Sequence, residues 1–213
     1  MKENQNIENL IGYIAKYCIK NKVTLLLSYS KKVNLPEESK KCASLGFFES
    51  ERKLLAIATK HPSHIWMGTL LHEFNHVKQW INGEFFLDDD SLEAENEIWD
   101  WLEDKKKKLS KKKALWYTKI MRDCEEDCEK KAIKMIQDFN LGDIIDLDKY
   151  IQRANAYLYF YKVIALKRKW YKIAPYTIKE ITDTMPTTLM KNFDKLPDGY
   201  EDLVVKHCLR KRK

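Results

Sequence analysis

The stretch TLLHEFNHVKQW, residues 69–80, constrains the fold more than any other part of the chain. Leu70, Phe74, Val77 and Ile81 recur every three or four residues, which is the spacing of one apolar stripe on an α-helix. A His-Pro-Ser sequence before this stretch supplies a break and an N-cap, and the Asn-Gly pair after it is a typical helix end. The pattern therefore predicts a helix that packs through one face.

Periodicity and turn residues elsewhere predict a mainly helical chain with a few short strands. Only 6 Gly and 5 Pro occur among 213 residues, which suits long helices better than a sandwich of short strands. The predicted elements are a helix over 6–20, a β-prone run over 23–29, a hairpin within 44–60, a helix ending near 101, and long helices over about 115–139 and 147–170. The segment after these helices is expected to be irregular.

These elements predict an α+β fold, mainly helical, in which a small antiparallel sheet or hairpin packs on the helix with the two histidines. A length of 213 residues suits one core, so we expect a single domain. Its expected parts are an N-terminal helix and small sheet over 1–60, a helical core with the histidines over 61–172, and an irregular segment with a basic tail over 173–213.

The composition argues against a membrane or secreted protein. No apolar run reaches the length of a membrane span, and the N-terminus MKENQNIENL is too polar for a signal peptide. Five cysteines without a CxxC pair favour free thiols in a reducing compartment, and Cys124 and Cys128 are expected to be small core residues. We therefore expect a cytoplasmic protein.

The formal net charge of +7 raises the question of an acidic partner. The excess is concentrated in the segments Lys105–Lys113, Leu166–Lys172 and Leu209–Lys213. The first is predicted to connect two helices in solvent, and the last is expected to be a loose terminus. No recognition-helix pattern or stacking motif accompanies them, which favours solvated charge, with contact to nucleic acid or an acidic partner as the alternative.

The sequence His72-Glu73-Phe74-Asn75-His76 is an HExxH pattern within the predicted helix. Two neutral imidazoles one helical turn apart can bind the same Zn²⁺ ion, and the glutamate between them can take a proton from a metal-bound water. The pattern therefore predicts a zinc site with Glu73 as its general base. Catalytic zinc also needs a third protein ligand and an open position for water.

A later histidine does not supply the third ligand in any familiar spacing. Metzincins continue the pattern as HExxHxxGxxH, but Gln79 and Asn82 stand at those positions here. His207 follows far along the chain, beside the basic tail. A carboxylate is therefore the better candidate.

Glu125 and Glu95 compete for this role. Glu125 and Glu129 continue a helical stripe whose later members are apolar, so both carboxylates are expected to face inward, where a cation must compensate them. Glu125 would then bind zinc, and Glu129 would accept the spare N–H of a ligating imidazole. Glu95 lies on the stripe Leu92, Glu95, Trp99 and Leu102 and is inward by the same reasoning, although no carboxylate follows one turn later.

The two patterns together resemble the gluzincin metallopeptidases, in which HExxH is followed on a later helix by ExxxE. More narrowly, HEFNHVKQW followed by EEDCEKKAI and RANAYLYFYKV resembles small predicted metallopeptidases encoded in bacteriophage genomes, over roughly residues 45–190. By matching position, this resemblance implies His72, His76 and Glu125 as zinc ligands, Glu73 as catalytic base and Glu129 as the acidic residue beside the site. For a virus-encoded enzyme, the expected location is the host cytoplasm.

A weaker similarity connects the chain with ImmA/IrrE-type regulatory proteases, whose late helix carries ExxA. Cys128 stands where their alanine would be, and the LLMP stretch that commonly follows is absent, so their regulatory role is not carried over. The SprT-type DNA–protein crosslink proteases use a nearby third histidine, which this sequence lacks.

These observations predict a zinc-dependent hydrolase that cleaves a peptide or protein substrate. Tyr157, Tyr159 and Tyr161 are candidates for stabilising the oxyanion, but aromatic residues at this spacing also suit core packing. The alternative is a non-enzymatic zinc-containing protein that contacts nucleic acid or an acidic partner through its basic segments. The retained Glu73 favours the hydrolase, because a structural zinc site needs a fourth protein ligand but no base.

Overall fold

The computed structural model describes residues 2–34, 43–84, 89–104, 107–171 and 173–208. Its elements in chain order are α1 (Lys2–Lys20), β1 (Thr24–Ser28), β2 (Val33–Asn34), β3 (Ala43–Ser44), β4 (Gly46–Glu49), β5 (Leu54–Ala58), α2 (Ser63–Asn82), α3 (Asp89–Glu103), α4 (Lys111–Asp138), α5 (Leu147–Lys167), a 3-10 helix (Pro175–Thr177), α6 (Lys179–Thr182) and α7 (Tyr200–Cys208). The predicted α+β fold, mainly helical with a small sheet, is confirmed.

The chain forms two compact units, and the long helix α4 contributes residues to both. The first unit comprises Met1–Glu84 and Cys128–Leu147, and the second comprises Phe85–Asp127 and Asp148–Lys213. Each unit is described separately below. The expected division of one domain into the parts 1–60, 61–172 and 173–213 stays a prediction.

The first unit contains a three-stranded sheet in the order β1-β5-β4. The predicted hairpin is present, with β4 antiparallel to β5 and Gly46 opposite Ile57. In contrast, β1 lies parallel to β5, with Thr24 opposite Leu54, so the sheet is mixed rather than antiparallel throughout. A parallel pair needs a long connection, and β2, β3 and β4 lie between these strands in the chain. The central strand β5 is apolar along its whole length because it is covered on both faces.

Helix α2 lies against this sheet, and its predicted apolar stripe is buried, with the ring of Phe74 in contact with Tyr17 of α1. Leu70, Phe74 and Val77 are fully buried. The helix ends as predicted at Gly83, whose φ of 71° is the left-handed conformation that glycine adopts readily. Its start differs in detail from the prediction, because Pro62 takes the N-cap position and no side chain caps the helix.

Helix α2 comes close to the sheet at Gly46. A Cβ atom at this position would lie 2.6 Å from Ile57 Cδ1 and 2.7 Å from Thr69 Cγ2. Thr69 is on α2, one turn before His72. The absence of a side chain at Gly46 therefore sets how closely the histidine helix sits on the strands.

We expect Gly46→Ala to lower the free energy of unfolding by about 1–3 kcal/mol, since the added methyl group overpacks a buried contact. Thermal or urea unfolding measures this change. Gly12→Ala is the matched control, because nothing lies within 4 Å of a Cβ atom at Gly12. An unchanged stability of the Gly46 variant would mean that α2 is not held at this distance.

In the second unit, helix α3 buries a different face from the one predicted. Ala94, Ile98 and Trp101 are the buried residues of α3, whereas Leu92 and Glu95 are exposed. The prediction that the stripe through Glu95 faces inward is therefore wrong. Alanine contributes little to an apolar pattern, although its small size suits close helix packing.

The segment after α5 is more ordered than predicted. Helix α5 ends at Lys167 because Arg168 has a left-handed φ of 51°. Helices α6 and α7 follow, and their buried residues share a core cluster with α5. Asn155 on α5 is fully buried and holds this segment through three hydrogen bonds. Its side-chain amide donates to the carbonyls of Pro186 and Thr188 and accepts from the backbone N–H of Met190.

Many of the basic residues have partners within the second unit. Lys107 pairs with Glu97 and Asp100 on α3, at 2.8 and 3.0 Å, and Arg168 donates to three backbone carbonyls near the end of α3. Helix α4 begins at Lys111, earlier than predicted, so the end of the lysine run is helical rather than part of a connection. Residues 105–106 and the tail 209–213 lie outside the described residues.

The cysteines that the structure describes are buried, as expected from the sequence for Cys124 and Cys128. Cys18, Cys124, Cys128 and Cys208 carry buried thiol groups, while Cys42 lies outside the described residues. Among the described residues, no helix has both the length and the apolarity needed to cross a membrane.

Candidate metal centre

Helix α2 places the two histidines of the HExxH pattern side by side. His72 and His76 are one turn apart, and their rings meet at 82° with centroids 4.9 Å apart. The two Nε2 atoms point to a common position and lie 3.2 Å from each other. His76 is buried and the side chain of His72 is 16% exposed, so solvent reaches the pair only through His72.

The other nitrogen of each ring lies beside a hydrogen-bond acceptor. His76 Nδ1 is 3.0 Å from Gln79 Oε1, and His72 Nδ1 is 3.1 Å from Glu129 Oε1. An amide or carboxylate oxygen at this distance favours an N–H on Nδ1, which leaves the Nε2 atom of a neutral ring with its lone pair. Both lone pairs are then directed into the same small space.

Two nitrogen lone pairs at 3.2 Å repel each other unless a proton or a metal cation lies between them. Two nitrogens that each bind a tetrahedral zinc ion at about 2.0–2.1 Å are about 3.3 Å apart. The observed spacing of the Nε2 atoms therefore fits zinc coordination.

Glu125 completes a group of three side chains that could hold a metal ion. The ligand atoms of His72, His76 and Glu125 all lie within 4.8 Å of one another. Glu125 is on α4, which runs without interruption to Glu129, so the two carboxylates lie one turn apart on one helix face. Two histidines and one carboxylate are a known ligand set of catalytic zinc, and this set leaves a coordination position for water.

Glu129 is buried beside His72. Its side chain is 9% exposed, and its Oε2 atom has no hydrogen-bond partner among the described residues. A carboxylate in this environment is costly unless positive charge lies nearby. A cation held by His72 would compensate it, which is the arrangement expected from the sequence for this residue.

Glu73, the predicted base, is held by the sheet rather than by the imidazoles. Its Oε2 atom accepts a hydrogen bond of 3.1 Å from the backbone N–H of Phe48 on β4. Because α2 packs on β4 at Gly46, the same strand that sets the position of the helix also orients this carboxylate. Glu73 is not a member of the ligand group.

Two tyrosines, the buried Tyr161 and the partly buried Tyr157, lie close to Glu125 within the second unit. The hydroxyl of Tyr161 donates to Glu125 Oε1 at 3.3 Å, and the hydroxyl of Tyr157 lies 3.0 Å from that of Tyr161. Burial first, and then the negative charge of Glu125, hold the pKa of both tyrosines well above 10. Both hydroxyls therefore keep their protons and can donate. Tyr159, in contrast, contacts Phe193 and Tyr200 in the core.

Two further contacts of His76 were not predicted from the sequence. In the sequence, Gln79 departs from the metzincin pattern, yet its position three residues after His76 places it on the same helix face. That spacing is a signal that could have identified it. Cys128 Sγ also lies 3.3 Å from His76 Nδ1, a contact between helices that no local pattern reveals.

The remaining candidates lie outside this group. Glu95 is exposed on α3, and His207 lies on α7. Neither belongs to the His72, His76 and Glu125 group, which is the one cluster of its kind in the part of the chain that the structure describes.

We expect Gln79→Leu to weaken zinc binding by about 10–100-fold, because it removes the acceptor that keeps the proton on His76 Nδ1. Gln79→Glu keeps an oxygen acceptor and should bind zinc within a few-fold of the unchanged protein. Competition with a zinc-binding dye measures both affinities. Equal weakening in the two variants would assign Gln79 to packing alone.

Comparison with known proteins adds no family to this description. No protein-family model matches the chain, and neither a curated protein nor a solved structure gives a significant match. The resemblance to gluzincin metallopeptidases therefore stays a prediction from the sequence motifs.

Proposed function

We propose that the protein is a zinc-dependent hydrolase of peptide bonds, with His72, His76 and Glu125 as metal ligands. The observation that carries this proposal is the convergence of the two Nε2 atoms at 3.2 Å beside Glu125. A bound zinc ion would act as a Lewis acid towards the scissile carbonyl and would lower the pKa of water.

The side chains of this chain would then divide the remaining tasks. Glu73 would take a proton from the attacking water and return it to the leaving amine, while the Phe48 amide holds its carboxylate in place. Glu129 and Gln79 would keep the protons of His72 and His76 on Nδ1. Tyr161 would fix the orientation of Glu125 by donating to its Oε1 atom.

Glu73 favours an enzyme over a structural zinc site. A structural site uses four protein ligands, whereas the group here has three, and Glu73, which follows His72 in the chain, is not one of them. The alternative of a binding protein that contacts nucleic acid or an acidic partner has less support, since Lys107 and Arg168 are engaged within the second unit. That alternative stays a prediction.

The test is hydrolysis of casein and of a quenched fluorescent peptide library by the purified protein. We expect cleavage that disappears after removal of metal with a chelator and returns on addition of zinc. Cleavage that survives removal of the metal would contradict the proposal. Salt-dependent retention on heparin without any hydrolysis would favour the binding protein instead.

A further inference from the structure

A cavity of about 300 Å³ opens in the second unit, and Arg122, one turn before Glu125 on α4, lines it. Side chains of α4 and α5 and of the segment before α7 line it, and those with charge or aromatic rings are Trp116, Lys119, Arg122, Tyr161, Lys162 and Asp194. Three of these are cations and one is a carboxylate. The proposed hydrolytic mechanism does not use this cavity.

The buried cation of the cavity, Arg122, is better shielded from water than the acids that pair with it, whereas Lys119 is 47% exposed and pairs with Asp123. Arg122 is 7% exposed, whereas its partners Asp194 and Asp123 are 62% and 35% exposed. Water screens the exposed carboxylates more than the buried guanidinium, because charge interactions weaken with solvent access. Lys119, Arg122 and Lys162 are set against Asp194 and Asp123, which leaves one net positive charge, and the buried charge of the cavity is that of Arg122.

The pKa of Asp194, a carboxylate that lines the cavity, is already lowered by these positive charges. The hydrogen bond from Arg122 lowers the pKa of Asp194, and the positive charges of Arg122, Lys119 and Lys162 lower it further. The three cations thus act together on one carboxylate. A carboxylate that enters the cavity from outside would meet the same field.

The cavity lies along α4 from the candidate metal centre. Arg122 precedes Glu125 by one turn and Lys119 precedes it by two, so Lys119 is about 9 Å away along the helix axis. Within the second unit, Tyr161 lines the cavity and also donates to Glu125, so this side chain connects the cavity with the carboxylate ligand. An extended peptide advances about 3.3 Å per residue, so a peptide at the metal would reach the cavity two or three residues from its scissile bond.

We propose that this cavity recognises a carboxylate of the substrate, two or three residues from the cleaved bond. The carboxylate belongs either to an Asp or Glu side chain or to the C-terminus of the peptide. The exposed ring of Trp116 offers an apolar wall for the carbon atoms that bear this group. This proposal rests on the proposed function, because it assumes a peptide bound at the metal centre.

The experiment measures binding of fluorescent peptides to zinc-loaded Glu73→Gln protein, in which hydrolysis is suppressed. One set of short peptides carries Glu or Gln at each position in turn, and a second set has free or amidated C-termini. We expect one set to show about tenfold tighter binding of the carboxylate form than of its amide. The set that shows the difference identifies the source of the carboxylate.

The double variant Lys119→Gln/Lys162→Gln should lose this preference, while Arg122 and its two partners stay in place. Lys112→Gln is the matched control, since Lys112 is an exposed lysine of α4 outside the cavity. Thermal unfolding checks that the variants are folded.

Equal binding of carboxylate and amide peptides would overturn the pocket, as would a preference that persists in the double variant. These outcomes are separate from the failure of the proposed function. A carboxylate preference in a protein that cleaves no peptide would refute the hydrolase and keep the pocket. Zinc-dependent cleavage with no carboxylate preference would support the hydrolase and refute the pocket.

Discussion

Glu73→Gln should reduce hydrolysis by about 10²- to 10⁴-fold while the protein still binds one zinc ion, because the change removes a base but no ligand. Glutamine has nearly the same size as glutamate and can still accept the hydrogen bond from the Phe48 amide. Stability should therefore change little. Initial rates on the best library peptide, zinc content and melting temperature together measure this outcome.

Glu84→Gln is a suitable control for the loss of one negative charge near the end of the same helix. Glu84 follows α2 and pairs with Lys131, away from the HExxH residues. Its variant should keep its hydrolytic rate. If Glu73→Gln lost its zinc, or kept its activity, the assignment of Glu73 as the base would be wrong.

Glu125→Ala should abolish tight zinc binding, since it removes one of the three ligands. Glu129→Ala should weaken binding less, by about 10–100-fold, because Glu129 acts on zinc through His72. Glu95→Ala should leave zinc binding unchanged, because Glu95 is exposed on α3 and is not part of the ligand group. Competition titrations with a zinc-binding dye, run on all three variants, give this order directly.

Each alternative order has a distinct meaning. A larger loss in Glu129→Ala than in Glu125→Ala would exchange the roles of the two carboxylates. A loss of zinc binding confined to Glu95→Ala would make Glu95 the third ligand in place of Glu125. Glu129→Gln offers a further check, since the amide oxygen can still accept from His72 and should recover part of the affinity.

The HExxH helix and the inward stripe of α4 could be predicted because both depend on residues close together in sequence. His72 and His76 share a helix face by their spacing alone, and Glu129 precedes Ala132 and Ile136 on a stripe that is buried as expected. The hairpin of β4 and β5 is equally local, with a polar turn between two apolar runs.

Contacts between distant segments could not be predicted in this way. The Phe48 amide that holds Glu73 is a backbone group, and Cys128 resembles any small core residue until α4 lies beside His76. The parallel pairing of β1 has no signal in its own sequence. Helix α7 is short, and helices of this length form only when tertiary packing supports them, as the core around Tyr200 does here.

The measurement that tests the central claim most directly is the metal content of the purified protein, with and without His72→Ala. Elemental analysis should find about one zinc per chain in the unchanged protein and very little in the variant, because two remaining ligands bind zinc poorly. His64→Ala controls for the loss of a histidine, since His64 lies at the exposed start of α2. No zinc in the unchanged protein after growth and purification with zinc, or equal zinc in His72→Ala, would contradict the account.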